Sequence, residues 1–429
     1  MWPQCFDGIS KRIHNVESFI CATVTAEIWE NSVILIVEEF KQMKIRTIEK
    51  IEDLQTVREY WECLQTHPNS DFAHFKLVCK QRKTVICPYI TVIEQRSKPC
   101  ALLVARLEQT HFVPSIGYFK TVRIPAKILM VIHQGFLGQK NKKVGEMLIQ
   151  HLGGLLATGK VDAVVFSEIQ ERSILLDELL ADSLQWWSEK KFIWDVHWAM
   201  DLPEVSGFLL KKMKSKHRSW IRGRRRKLEA DFPNKVSWSW MSRFDDLPGL
   251  CDKLEEVASI TYQRALGAGF VNNEEQRQRF ALFASRGQLR IQLLEVEAEI
   301  KAFWIGTIYH GVFYSAATGY HPDFRFYEFG TLIFLQMVDE LVKEGVKKLD
   351  FGFGDASYKK RFGDIFWRET TVRLFAPTLK GMSIRICLGA CDLLDRAGRS
   401  LVQRAGMMDR VKTGWRRRLN TMMSKVKRK

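Results

Sequence analysis

Leu349-Asp350-Phe351-Gly352-Phe353-Gly354-Asp355-Ala356-Ser357-Tyr358-Lys359-Lys360-Arg361-Phe362-Gly363 is the stretch around which the chain is read. A short apolar strand runs into glycines, and the glycines open onto a Tyr-Lys-Lys-Arg turn. A strand end therefore delivers an aromatic ring and several cations to one place, a common way of building a site for an anionic ligand.

Working outward, Gly330 to Glu344 carries Leu332, Ile333, Leu335, Met337, Val338, Leu341 and Val342 at helical spacing, so a helix precedes the Lys348 to Phe351 strand. Before it, Leu289 to Glu295, Ala302 to His310 and Val312 to Tyr320 read as a meander with a tight His310-Gly311 turn. Val236 to Met241 is a strand, and Asp246 to Leu266 and Glu274 to Arg286 are helices. The first half has the same order. A strand at 43–50 and helices at 52–65 and 70–80 lead to a hairpin of strands at 87–94 and 100–108. A strand at 128–133, a helix at 142–157 and a strand at 163–166 follow. Two copies of one mixed topology is the economical reading. Between them a long basic helix, roughly Glu204 to Glu229, is expected to link the halves, with Phe208, Leu209, Met213, Trp220, Ile221 and Leu228 as its apolar members.

With 429 residues, 46% of them hydrophobic, the chain can bury real cores and is not a disordered protein. Its net charge of +17 is unevenly placed: residues 211–227 hold ten Lys or Arg and no acid, and residues 396–429 hold twelve against Asp409 alone. The rest carries about −4, so the folded body is nearly neutral and the two basic segments need explanations of their own. Nine cysteines with no CxxC pair, and no His cluster at metal spacing, argue for reduced thiols in a cytoplasmic protein and against a zinc site. The most apolar span, Phe19 to Val37, is broken by Glu27, Glu30 and Asn31 and suits neither a membrane helix nor a signal peptide. Met43 begins a natural first strand, so residues 1–42 are expected to be an over-extended or poorly ordered start.

The loop Tyr320 to Phe329 leads to a helix start at Gly330-Thr331, where free N–H groups and the positive end of the helix dipole suit a phosphate, with Arg325 adding charge. The plainer alternative is that Gly330 opens a core helix and Arg325 is solvated.

Taken together, Gly319-Tyr320, Arg325, Gly330-Thr331, Asp350-Phe351-Gly352 and Tyr358-Lys359-Lys360-Arg361-Phe362-Gly363 resemble the CelD/BcsL-like acetyltransferases of the GNAT superfamily. So do Ser215-Lys216-His217-Arg218 and Arg225-Arg226-Lys227-Leu228-Glu229 upstream. The resemblance covers roughly residues 45–375 and is strongest over 211–370. That family is similar in turn to the Fem-type peptidyl transferases. It implies a mixed α/β (α+β) tandem GNAT-like fold: a degenerate unit at 43–203, a basic linking helix at 204–230 and a catalytic unit at 231–378, after which the residue pattern itself gives a basic amphipathic helical tail at 379–429. It also implies an N-acyltransferase, in which an amine attacks the thioester of an acyl-CoA (acetyl-CoA or longer) held between splayed strands, with no metal.

Aminolysis of a thioester requires a neutral amine, support for an oxyanion and a proton for the leaving thiolate. Tyr358 is the candidate proton donor, Lys359 the cation for oxyanion or phosphate, and Asp350 the group that orients the amine or accepts its proton. Each has a structural alternative: packing, a surface charge and a turn cap. Arg325, Gly330 and Thr331 are the candidate cofactor-binding residues. His217, Arg218 and Arg222 on the linking helix are candidates for binding an anionic donor or acceptor, or form a solvated basic face. His321 is a further candidate, although a lone histidine is more often structural.

In the tail, Met408, Val411, Trp415, Leu419, Met422 and Val426 form one apolar stripe amid basic residues, the pattern of a helix lying on an anionic membrane surface. The preceding stripe Ile384, Leu388, Cys391, Leu394 and Leu401 is expected to dock on the body. Three functions stand. The first is an acyl-CoA-dependent N-acyltransferase acting on a sugar or small-molecule amine in polysaccharide or cell-envelope biosynthesis. The second is a Fem-like aminoacyl transferase using tRNA, for which the basic helix would suit an RNA backbone. The third is a non-enzymatic nucleic-acid or membrane-surface adaptor.

Overall fold

The computed structural model describes residues 43–117, 119–180, 193–261, 264 and 269–404. The expected N-terminal extension and the stripe from Met408 onward lie outside the described residues.

In the first half, β1 (Met43–Ile48) is followed by helices α1 (Arg58–Leu64) and α2 (Phe72–Gln81), then β2 (Val85–Gln95) and β3 (Lys98–Phe112). A two-stranded ribbon, β4 (Ser115–Ile116) and β5 (Phe119–Lys120), leads into β6 (Ile124–Gly138), α3 (Lys142–Ala157), β7 (Ala163–Gln170), α4 (Ile174–Leu180) and β8 (Trp194–Asp201). The linking segment forms two helices, α5 (Phe208–Lys212) and α6 (Ser215–Asp231), where one was expected. The chain is extended at Met213 and Lys214, and the break lets Leu209 bury on one side of it and Ile221 and Leu228 on the other.

The second half runs β9 (Val236–Met241), α7 (Leu247–Ser259), α8 (Glu274–Ser285), β10 (Leu289–Val296), β11 (Glu299–Tyr309), β12 (Val312–Tyr320), α9 (Phe329–Lys343), β13 (Lys348–Phe353), α10 (Ser357–Phe362), β14 (Ile365–Phe375) and α11 (Leu379–Arg404). The expected β2–β3 hairpin is present, turning at Arg96 and Ser97, both at positive φ.

All but the ribbon join one twelve-stranded sheet in the order β1-β2-β3-β6-β7-β14-β8-β13-β12-β11-β10-β9. Two strands, β8 and β14, exchange sides. Strand β8 lies antiparallel to β13 of the second half, whereas β14 pairs with β7 of the first and with β8 itself. The halves are therefore interlocked by backbone hydrogen bonds at the centre of the sheet.

In each half a parallel pair begins and then parts. Strands β6 and β7 are in register over four residues, Ile128–Val131 against Ala163–Phe166. Strands β12 and β13 are in register only over Val312–Tyr314 against Lys348–Asp350, after which β12 stays on β11 and β13 on β8. This leaves a wedge between Ser315–Tyr320 and Phe351–Phe353. A bulge on β12 sets Ala316 without an opposite residue on β11 at the mouth of the wedge, and such bulges re-aim side chains and backbone groups beside active sites. Gly306 faces that bulge: a Cβ there would lie 2.2 Å from the Phe313 ring, so only glycine fits.

Side chains alternate across the sheet. Trp304, Phe313, Leu349 and Phe351 join α6 and α9 in one core, and Phe303, Ile305 and Leu293 join α7 and α8 in the core on the opposite face. Across the halves, Tyr309 donates to the buried Asp71 (2.9 Å), which also accepts from Arg286 (2.9 Å) and from the His74 backbone N–H (2.9 Å). The apolar docking of helix α11 is confined to its early turns: Ile384 is fully buried beside Phe112 and Phe375 with Leu388 packed against them, but Leu394 and Leu401 are exposed. The docking stripe expected to continue to Leu401 therefore stops short; farther along, the contact with the β4–β5 ribbon is polar, the Gly117 N–H donating to Asp395 (2.6 Å).

Candidate active site

Asp350 sits at the apex of the wedge, the last residue of β13 paired with β12. It faces away from Leu349 and Phe351 by strand alternation. Its Oδ1 accepts from His197 Nε2 (2.7 Å) and from the Gly352 N–H (2.7 Å). Gly352 is at φ +73°, a conformation open to glycine, and a β-bulge falls between Asp350 and Gly352.

His197, on the exchanged strand β8, is buried and donates through Nδ1 to Glu369 of β14 (3.0 Å). Burial alone would depress its pKa, but the two carboxylates outweigh it and hold the imidazole at about 9, so it is a cation at neutral pH. It stacks on Trp367 at 4.2 Å, whose indole N–H donates to the other Glu369 oxygen (2.6 Å). Farther along, His133 of β6 bonds through Nδ1 to the Glu168 carbonyl of β7 (3.2 Å) and lies 3.3 Å from a Glu168 carboxylate oxygen. Burial, followed by the neighbouring Glu369 charge, lifts the Glu168 carboxyl to about 7, and burial lowers His133 so that it stays neutral.

The result is a polar row, His133, Glu168, Glu369, His197, Asp350 and Tyr314, with one residue from each of six consecutive strands. The His67 ring closes over both ends, 4.8 Å from His133 and 4.5 Å from Tyr314, and the Tyr314 hydroxyl donates to the Thr66 carbonyl (3.2 Å). Burial, and secondarily Asp350, raises the Tyr314 phenol to about 12. Sequence reasoning named Asp350 but not its partners. The one available signal was the unexplained His and Glu inside the apolar segments 194–201 and 365–375.

On the other face lie Tyr358 and Lys359, carried by the short helix α10 where a turn was expected. Tyr358 is half-buried, edge-on to Trp304 (5.9 Å) and Phe351 (6.1 Å). Lys359 is buried and donates to the carbonyls of Phe353 (2.7 Å) and Gly352 (3.2 Å), and burial, partly offset by Asp350, lowers its pKa to about 8. Asp350, Tyr358 and Lys359 are thus brought together around one strand end.

The other candidates fall in two places. His217 lines a cleft of about 420 Å³ with Lys212, Lys214, Arg361, Leu209, Met213 and Phe362, and its Nε2 lies 3.5 Å from Arg361. Arg218 and Arg222 are not among its lining residues; Arg218 is half-buried and Arg222 exposed. At the start of α9, Gly330 lies close to the Tyr320 ring, and Thr331 bonds back to Glu328, whose carboxylate is 3.5 Å from the Thr331 hydroxyl. Arg325 is exposed in the preceding 3-10 turn, and His321 caps that turn by accepting from the Asp323 N–H (3.3 Å).

Two mixed units in one sheet, each with parallel strands that part, define the tandem GNAT fold. Residues 215–360 match the family model described as an acetyltransferase (GNAT) domain, so the second unit is a GNAT domain and the protein an acyltransferase. No curated protein matches the chain. Among solved structures, FemX is similar at 11% identity, with 77% of this chain and 97% of that one covered and a TM-score of 0.50. A conserved protein of unknown function from Bacteroides thetaiotaomicron aligns at 12% identity over 77% of this chain and 100% of that one (TM-score 0.46). A tandem GNAT protein from the clavulanic acid biosynthesis pathway aligns at 10% identity over 78% and 99% (TM-score 0.45).

Proposed function

We propose that the protein moves an acyl group from the thioester of an acyl-CoA to an amine acceptor, and that the chemistry takes place in the wedge between β12 and β13. The observation that carries this reading is the wedge itself, with Asp350 at its apex on one face and Tyr358 and Lys359 on the other. A donor entering along α9 and α10 meets an acceptor arriving from the face of Tyr314 and His67.

Asp350, held by His197 and the Gly352 N–H, takes a proton from the amine as nitrogen attacks the thioester carbon. Two of the three Lys359 donors are spent on backbone carbonyls, and the third is left for the oxyanion. The Tyr358 hydroxyl protonates the departing thiolate. For the anionic end of the donor, the cleft of Lys212, Lys214, His217 and Arg361 offers more charge than the start of α9, where the Glu328 carboxylate already sits.

The acceptor class that fits the resemblance is an amino sugar or similar amine in polysaccharide or cell-envelope synthesis. Among the described residues no helix is long and apolar enough to cross a membrane. Ile386, Leu393, Leu394 and Leu401 are nevertheless exposed on α11, leading into the basic segment after it, which supports docking on an anionic membrane surface. The test is thiol release from acetyl-CoA and longer acyl-CoAs with a panel of amines, alongside mass spectrometry of co-purified ligand. Absence of thiol release by the folded protein with every donor would defeat the proposal, and RNase-sensitive activity would favour aminoacyl transfer from tRNA. Equal sedimentation with anionic liposomes of the full chain and a chain ending at 406 would remove membrane docking.

A further inference from the structure

The polar row is larger than acyl transfer at Asp350 requires. Its far end, His133, Glu168 and Glu369, lies in the first half and in the exchanged strand, and no step above uses it. One ligand-type atom from each of these three residues falls within 4.8 Å of the other two. Both His133 and Glu168 stand on irregular backbone. Between the pairs Leu103–Phe136 and Ala105–Val131, strand β6 spends four residues, 132–135, against Val104 alone, and His133 is among them. Glu168 is at φ +53° in the bulge where β7 and β14 slip register. Bulges of this kind turn side chains out of the regular alternation, and here two of them turn toward the same point.

We propose that His133, Glu168 and Glu369 form a binding site for one divalent transition-metal ion, of which Zn²⁺ is the best match to one imidazole and two carboxylates. The surroundings suit that role. His133 is 93% buried, and its Nδ1 lies 3.2 Å from the Glu168 carbonyl and 3.3 Å from the Glu168 carboxylate, so imidazole and carboxylate are held side by side. Glu369 is oriented by two donors, the Trp367 indole and His197, the outer contacts that hold a ligating carboxylate in place.

The three ligands come from β6, β7 and β14, so the ion would pin the exchanged strand of the second half into the first. Their sequence separations, 35 residues between His133 and Glu168 and 201 between Glu168 and Glu369, are why no metal spacing is visible in the chain.

The test needs no acyl substrate. The full chain, stripped of metal with a chelator, is titrated with ZnCl₂ by calorimetry, beside Glu168→Gln and His133→Asn variants whose circular dichroism confirms folding. Glu168→Gln keeps the shape of a half-buried side chain and removes its charge. The expected result is one tight equivalent in the wild type, weakened at least ~100-fold in both variants, with a higher melting temperature for the Zn²⁺-loaded wild type only. No saturable binding by the wild type, or binding unchanged in the folded variants, overturns the proposal. Acyl transfer is not measured, so either outcome leaves that reading to its own assay.

Discussion

Replacing His197 by glutamine tests the electrostatic centre of the molecule. The imidazole is buried, donates to Asp350 at 2.7 Å and to Glu369 at 3.0 Å, and has its pKa raised from 6.5 to about 9. Because the folded value lies above the unfolded one, this stabilisation is fully present below pH 6.5, declines between 6.5 and about 9, and is gone above that. At about 1.4 kcal/mol per pH unit the shift is worth ~3 kcal/mol. The glutamine variant leaves the two buried carboxylates without their cation at every pH, so its deficit against the wild type is largest at low pH and shrinks as the imidazole deprotonates. Urea unfolding of both proteins at pH 6 and pH 9.5, with EDTA present, reads this directly. The wild type should lose ~3 kcal/mol of its advantage over the variant between the two pH values. Parallel pH dependence would show that the imidazole is not the cation joining β8, β13 and β14.

Three further outcomes are expected. The Lys359 ammonium, with its pKa lowered to about 8, should make thiol release fall as pH rises through 8, and a Lys359→Met variant should be slow at every pH; an unchanged profile removes Lys359 from the chemistry. Gly306→Ala drives a methyl into the Phe313 ring and should cost ~1–3 kcal/mol by thermal melting; a neutral effect would mean that the β12 bulge is freer than its geometry implies. Asp71→Asn strips the charge that Arg286 and Tyr309 of the second half share with the α2 cap, and should lower the denaturant midpoint; adding Arg286→Ala to it should then cost little more, whereas full additivity would contradict the shared contact.

Much of the fold was legible because its periodicity is clean. Strands β9 and β12 and helix α3 fall where alternation or a helical stripe places them, and the doubled order of elements is visible in the chain. Strands β8 and β14 were not. Trp194–Asp201 and Ile365–Phe375 carry a histidine and a glutamate at inward positions, and a reading that sends charged residues outward cannot make strands of them. They are inward because they satisfy one another across 172 residues, a pairing that exists only once the strands have exchanged. The same blindness divided the site. Asp350, Tyr358 and Lys359 lie within ten residues and were named together, whereas His197, Glu369, Glu168 and His133 have no local signature. The basic linking segment was legible as charge but not as geometry: its break at Met213 and Lys214 places His217, rather than Arg218 or Arg222, in the cleft with Arg361.

The most direct test of the central claim, that acyl transfer occurs in the wedge of the second unit, is hydrogen–deuterium exchange with and without acetyl-CoA. Slowed exchange should be confined to Ser315–Tyr320, the start of α9, Gly352–Phe362 and the Leu209–His217 wall of the basic cleft. Protection confined to β6 and β7 of the first unit, or no protection at saturating acetyl-CoA, would contradict it.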